Sequence, residues 1–184
     1  MRKISVLFVC LGNICRSPAA ESIFIRLLEK KGLKDGFIVD SAGTGSWHVG
    51  KKADSRMRIA ADRRDINILS KARQITGKDF EEFNYILAMD NSNFRNIQDL
   101  KNRTASNGFA SIKKIQDFRS VFYEQEVPDP YFGGDEGFDY VLDILEDSVK
   151  GFLESISWIY LISVSLGILS LYRSIILFTT SLIV

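Results

Sequence analysis

The sequence predicts an α/β fold, a four-stranded parallel sheet doubly wound with helices on both faces, and three observations point to it. Short β-branched and aromatic runs alternate with segments of helical periodicity. The first run breaks at a tight loop that opens straight into a helix. The chain, at 184 residues, can enclose one full hydrophobic core but would be cramped as two domains.

In chain order, Ile4 to Val9 is the first strand and ends in a loop at Cys10. Ser17-Pro18 opens a helix whose apolar positions are Ala19, Ile23, Phe24, Leu27 and Leu28, stopped at Gly32. Phe37 to Val39 forms a second strand, feeding a Gly/Ser-rich loop from Ser41 to Ser46, and a charged helix covers Asp54 to Asp65. Tyr85 to Met89 is a third strand, and Asp90-Asn91-Ser92 caps a helix over Asn93 to Lys101. A fourth strand spans Ile112 to Phe118, interrupted in pattern by Lys113 and Lys114. After the proline-stiffened segment Val127 to Tyr131, a last amphipathic helix runs from Phe138 to Leu153, with Tyr140, Val141, Ile144, Leu145, Val149 and Phe152 on one face. In such sheets the ligand crevice lies beyond the carboxyl ends of the strands, where the Cys10 loop leaves the first one.

Composition narrows the function classes. Twenty-four basic residues stand against 23 acidic ones with no basic block, so no nucleic-acid partner is expected. Two cysteines make no disulfide framework, and the N-terminus lacks the apolar run and cleavage site of a secretory signal, so both are read as cytosolic thiols.

The chemistry concentrates in residues 9 to 21, VCLGNICRSPAAE. Four residues separate Cys10 from Cys15, wider than the Cys-x-x-Cys of zinc clips and thioredoxin-like pairs. A metal site would need further ligands, and the chain offers one histidine, His48, so no metal and no cofactor are expected. A strand-loop-helix junction instead aims backbone N–H groups and the positive end of a helix dipole at one point, which binds an oxyanion. Gly12 is expected to supply the tight turn, and Arg16 a planar guanidinium able to grip two phosphate oxygens. The same field favours the thiolate of Cys10, to which the Ser17 hydroxyl can donate.

The run Cys10-x5-Arg16-Ser17, with VDSAGT at 39 to 44, ARQIT at 72 to 76, YILAMDNSN at 85 to 93 and PDPYFG at 128 to 133, resembles the low-molecular-weight protein tyrosine phosphatase family over about residues 3 to 155. The resemblance implies a flavodoxin-like sheet in strand order 2-1-3-4. It implies hydrolysis of phosphotyrosine and small aryl phosphates through a phosphocysteine: Cys10 attacks phosphorus, Arg16 clamps the oxygens, and Asp129 acts as general acid and then base. Leu11, Gly12, Asn13, Ile14, Cys15 and Ser17 complete the phosphate loop, Asn13 and Ser41 brace it, and Trp47, Tyr131 and Phe132 join Leu11 at the substrate rim. Cys15 is implied as a resolving thiol that traps oxidised Cys10 as a disulfide. Relatives acting on phosphoarginine tend to carry threonine where this chain has Ile14, which favours the aryl-phosphate reading. Phosphotyrosine proteins, a tyrosine kinase among the candidates, are the implied partners, and a monomer or weak dimer the implied state.

Two alternatives stay open. A non-catalytic phosphopeptide-binding adaptor should lack the nucleophile or the acid, and both are present; an arsenate reductase of the same fold should carry relay cysteines downstream of Cys15, and none follows. His48 and the pair Arg63-Arg64 read as solvated, Asp90 as a helix cap, and Trp47 as rim rather than core.

Composition changes near Ser155, dividing a phosphatase domain at 1 to 155 from a hydrophobic tail at 156 to 184 whose only charge is Arg173. The 17 uncharged residues from Ile156 to Tyr172 reach about 26 Å as a helix, just short of a ~30 Å hydrocarbon core. The tail is read as a membrane anchor for a cytoplasmic catalytic domain, against a packed extra element or a non-native end.

Overall fold

The computed structural model describes residues 3 to 104, 108 to 131 and 134 to 180, the last 23 of these (158 to 180) as backbone only. Four parallel strands, β1 (Ile4–Cys10), β2 (Phe37–Gly43), β3 (Tyr85–Ala88) and β4 (Ser111–Lys114), lie in the order β2-β1-β3-β4. The helices are α1 (Arg16–Lys30), α2 (Ser55–Asp62), α3 (Asp79–Glu82), α4 (Asn91–Arg103) and α5 (Asp135–Thr180).

β1 is central and buried on both faces, so its side chains divide by parity. Val6, Phe8 and Cys10 face a core built with α1, α2 and α5, whereas Leu7 and Val9 face a second core with Phe80 of α3 and Ile97 of α4. Phe24 of α1 sits in the larger core with its ring centroid 5.7 Å from Phe8, 5.8 Å from Phe37 and 5.7 Å from Phe152, joining β1, β2 and α5. The first two are edge-to-face contacts, which add about 0.5–1.5 kcal/mol each beyond area burial.

Several element boundaries differ from the sequence expectation. β2 runs on to Gly43, placing Ser41 inside the strand, because its ladder with β1 continues until Cys10 pairs with Gly43. β4 stops at Lys114, where a 3-10 turn over Ile115–Phe118 drives Ile115 fully into the core. The short helix α3 has no apolar periodicity to announce it; Asp79 starts it by accepting from Thr76 N at 2.7 Å. Arg63 is solvated, as expected, while pairing with Asp139 at 2.7 Å; Arg64 is half-buried and pairs with Asp143 at 2.6 Å, so the end of α2 is tied to α5.

α5 crosses residue 155 without a break, and Ile156, 3% exposed, belongs to the core. Among the described residues no helix is long and apolar enough to cross a membrane. The side chains of 158 to 180 and the whole of 181 to 184, on which the anchor expectation falls, lie outside the described residues.

Candidate active site

At the carboxyl end of β1 the loop from Cys10 to Arg16 is held from outside by its carbonyls. Cys10 O accepts from Thr44 N at 2.9 Å, Leu11 O from Gly45 N at 2.8 Å, Ile14 O from Asp54 N at 2.8 Å and Cys15 O from Ala19 N at 3.3 Å. Among the described residues every peptide is trans, and in a trans peptide the N–H points opposite to the C=O. With these four carbonyls turned outward, the amides of Leu11, Gly12, Cys15 and Arg16 turn the other way, into the loop. The first turn of α1 has no acidic residue and its N-cap, Cys15, makes no side-chain capping bond, so the positive helix end faces the same space. The arrangement is a cradle for a tetrahedral anion.

The tight turn comes from a different residue than expected. Asn13, with φ of 55°, takes the left-handed conformation; Gly12 does not. Asn13 tolerates it because all its amide groups are used: Nδ2 donates to Ser17 Oγ and to Ser41 Oγ, both at 2.9 Å, and Oδ1 accepts from Arg73 N at 2.9 Å. Gly12 is small for another reason, since a Cβ there would meet His48 Cδ2 at 3.0 Å. His48 is therefore a half-buried wall of the cleft rather than a solvated side chain.

Cys10 is buried beneath this loop, with Asn13 N donating to Sγ at 3.2 Å and Ser17 Oγ 3.1 Å away. Ser17 Oγ already accepts from Asn13, so its one proton is left for the sulfur or for Ala42 O at 3.2 Å. Cys15, also buried, is a free thiol; burial, with Asp54 adding to it, pushes its pKa well up and keeps it protonated. Arg16 is 3% exposed and gives Nη1 to Asp90 Oδ2 at 2.6 Å and Val127 O at 3.1 Å, and Nη2 to Asp129 Oδ2 at 2.8 Å. Its burial opposes the charge, but Cys10, Asp129 and Asp90 outweigh that and hold the guanidinium cationic. Asp90 does double duty, also capping α4 by accepting from Asn93 N at 2.6 Å.

Asp129 reaches the cleft from the loop after Val127, whose N–H is fixed by Met89 O at 2.9 Å at the end of β3. Its free oxygen, Oδ1, takes Tyr131 N at 3.1 Å. The cleft, about 190 Å³, is walled by Leu11, Ile14, Trp47, His48 and Tyr131 over Cys10, Cys15 and Arg16. Trp47 is 66% exposed, a rim position. Phe132 lies outside the described residues. Among the described residues no group of three or more His, Cys, Asp or Glu is placed to hold a metal ion.

Sequence reasoning missed three supports. Gly43 backs the loop so closely that a Cβ would stand 2.9 Å from Leu11 O, a proximity created by the β1–β2 pairing and invisible in the motif itself. Glu21 accepts from Ser41 Oγ at 2.6 Å behind Asn13, and burial raises its pKa. Arg56 clamps Asp54 through two bonds, at 3.1 and 3.0 Å, and lies 5.4 Å from the Tyr131 ring and 4.7 Å from that of Phe138. The Asp54-x-Arg56 pair at the head of a helix was its one available signal.

An anion cradle over a buried thiol, with an arginine and a carboxylate at its mouth, sits at the carboxyl edge of a doubly wound sheet. The model of the low molecular weight phosphotyrosine protein phosphatases matches residues 5 to 158, and the chain belongs to that family of enzymes. A fission-yeast (Schizosaccharomyces pombe) low molecular weight phosphotyrosine protein phosphatase is 42% identical over 157 residues, covering 85% of this chain and 99% of its own. Among solved structures, a protein tyrosine phosphatase from Entamoeba histolytica with Hepes in the active site is 42% identical, with a TM-score of 0.79 over 84% of this chain and 97% of its own. A Drosophila arginine phosphatase is 34% identical, with a TM-score of 0.77 over 82% and 96%.

Proposed function

We propose that the enzyme hydrolyses phosphotyrosine in proteins, and small aryl phosphates, through a phosphocysteine formed on Cys10. The observation that carries the reading is the convergence on one cleft of Cys10, Arg16 and Asp129, with Arg16 Nη2 2.8 Å from Asp129 Oδ2.

In the first step the Cys10 thiolate attacks phosphorus, the bond from phosphorus to the aryl oxygen breaks, and Asp129 delivers its proton to that oxygen. The inward amides and Arg16 hold the three non-bridging oxygens as charge gathers on them. In the second step water attacks phosphorus, giving a proton to Asp129, and the phosphorus–sulfur bond breaks to release phosphate and thiolate. Ser17, able to donate to Sγ, eases that departure. Because Asp129 is bonded to Arg16, an arriving dianion competes with the carboxylate for the guanidinium, and its arrival frees Asp129 to turn to the leaving group.

The apolar walls Leu11, Ile14 and Trp47 suit an aryl ring better than a guanidinium, which supports a tyrosine ester over phosphoarginine. Cys15, protonated in the resting enzyme and lining the same cleft, serves as the resolving thiol once Cys10 is oxidised to a sulfenic acid. Hydrolysis of p-nitrophenyl phosphate by wild type and Cys10→Ser tests the mechanism. Turnover should fall by about 10⁴-fold or more; comparable turnover in the variant would remove Cys10 from the reaction.

A further inference from the structure

Against the catalytic cleft lies a second one, of about 280 Å³, that shares Leu11 and Trp47 with it. The Trp47 ring is folded down onto Gly45, where a Cβ would stand 1.7 Å from Cζ3, so only glycine lets this ridge form. On its far side the cleft is lined by Thr44, Gln74, Asn96 and Arg103. Arg103 is exposed, has no carboxylate partner among the described residues, and meets no acidic side chain on these walls. Thr44 Oγ1 is buried without a hydrogen-bond partner, and the Thr44 backbone is fixed at both ends, its N–H on Cys10 O and its carbonyl under Gln74 Nε2 at 3.1 Å.

We propose that this cleft is a subsite for an acidic side chain of the substrate, two residues from the phosphotyrosine; this rests on the phosphatase reading above. In an extended peptide alternate side chains project to one face roughly 6.6 Å apart. Two clefts that share Leu11 and Trp47 lie on the two sides of one ridge, an arrangement that can take two such alternate side chains. The phosphotyrosine fills the first, the peptide crosses over Leu11 and Trp47, and the neighbouring carboxylate enters beside Arg103, with Asn96 as a further donor. A cation with no competing carboxylate makes the subsite select for Asp or Glu and against Lys or Arg.

The test uses synthetic phosphotyrosine peptides carrying Glu or Lys two residues before or two residues after the phosphotyrosine. The readout is the ratio of kcat/KM for the Glu and Lys peptides within each enzyme, so any change in basal turnover cancels. Wild type should prefer Glu by about fivefold at one of the two positions, the preference shrinking at high salt. Arg103→Glu should reverse it, and Arg103→Ala should bring it close to one. Equal rates at both positions in wild type, or a Glu preference kept by Arg103→Glu, would overturn the proposal. Turnover of p-nitrophenyl phosphate, which has no flanking residue, reports on the phosphatase reading separately.

Discussion

The two halves of the site are built in opposite ways. The anion loop is fixed from behind: its carbonyls are bonded outward, Asn13 spends every amide hydrogen on Ser17 and Ser41, and Gly43 fills the space beneath. The acid loop is fixed at Val127 but presents Asp129 with a side chain 37% exposed, held by Arg16 and the Tyr131 amide. The loop that must meet a substrate of constant shape, the phosphate, is rigid and internally satisfied. The Asp129 carboxylate, which on the proposed mechanism exchanges partners during turnover, is held by bonds an arriving phosphate can displace.

The contrast predicts that the acid loop governs rate and the anion loop governs both rate and stability. Asp129→Asn should lower kcat by about 10²–10⁴-fold for phenolic leaving groups, with a smaller loss for p-nitrophenol, which departs with less help. Its stability in urea should shift by less than about 1 kcal/mol, because the pair with Arg16 is partly solvated. A large loss of stability would make the acid loop structural and break the comparison.

Asn13 offers the matching test on the rigid side. Asn13→Gly keeps the left-handed backbone but loses three hydrogen bonds, two of them buried, and should cost about 1–3 kcal/mol together with roughly 10- to 100-fold in kcat/KM. Asn13→Ala should cost about 1–2 kcal/mol more, since alanine is strained at φ of 55°. Equal stability of the two variants would show that the amide bonds alone set the loop.

Thiol chemistry sharpens the difference within the loop. Iodoacetate near neutral pH should label Cys10 at least about tenfold faster than Cys15, as read by peptide mass spectrometry, because burial and Asp54 keep the Cys15 thiol protonated. Preferential labelling of Cys15 would reverse the two roles.

The smallest effect belongs to Glu21. Burial holds its carboxyl above the ordinary 4.5, so the folded protein keeps a proton that the unfolded chain releases. Its contribution to stability is complete below about pH 4.5 and is lost as pH rises through the higher folded value. Glu21→Gln lacks this slope, and thermal denaturation from about pH 4 to 8 should show wild type losing stability relative to the variant as pH rises. Parallel curves would place the carboxylate's charge outside the loop's support.

Much of the site was legible because chemistry and local structure share residues there. Cys10, Arg16 and Ser17 sit at a strand-to-helix junction marked by Ser17-Pro18, and the alternation of apolar runs carried the sheet and its four strands. Boundaries were less legible, since β2 ends where its partner ends and β4 yields to a turn that buries Ile115. Neither partner length nor burial is written in the local pattern.

What the sequence determined by itself was the set of groups, a thiol, a guanidinium and a carboxylate, in a pattern that needs a strand, a loop and a helix to make sense. What only the tertiary structure decided was which residues let those groups meet. Asn13 rather than Gly12 turns the loop, Gly43 makes room under it, Arg56 stacks on Tyr131, and Arg103 faces a second cleft. Each depends on a contact between segments distant in the chain, set by strand pairing and helix packing, and a single sequence carries no local trace of such contacts.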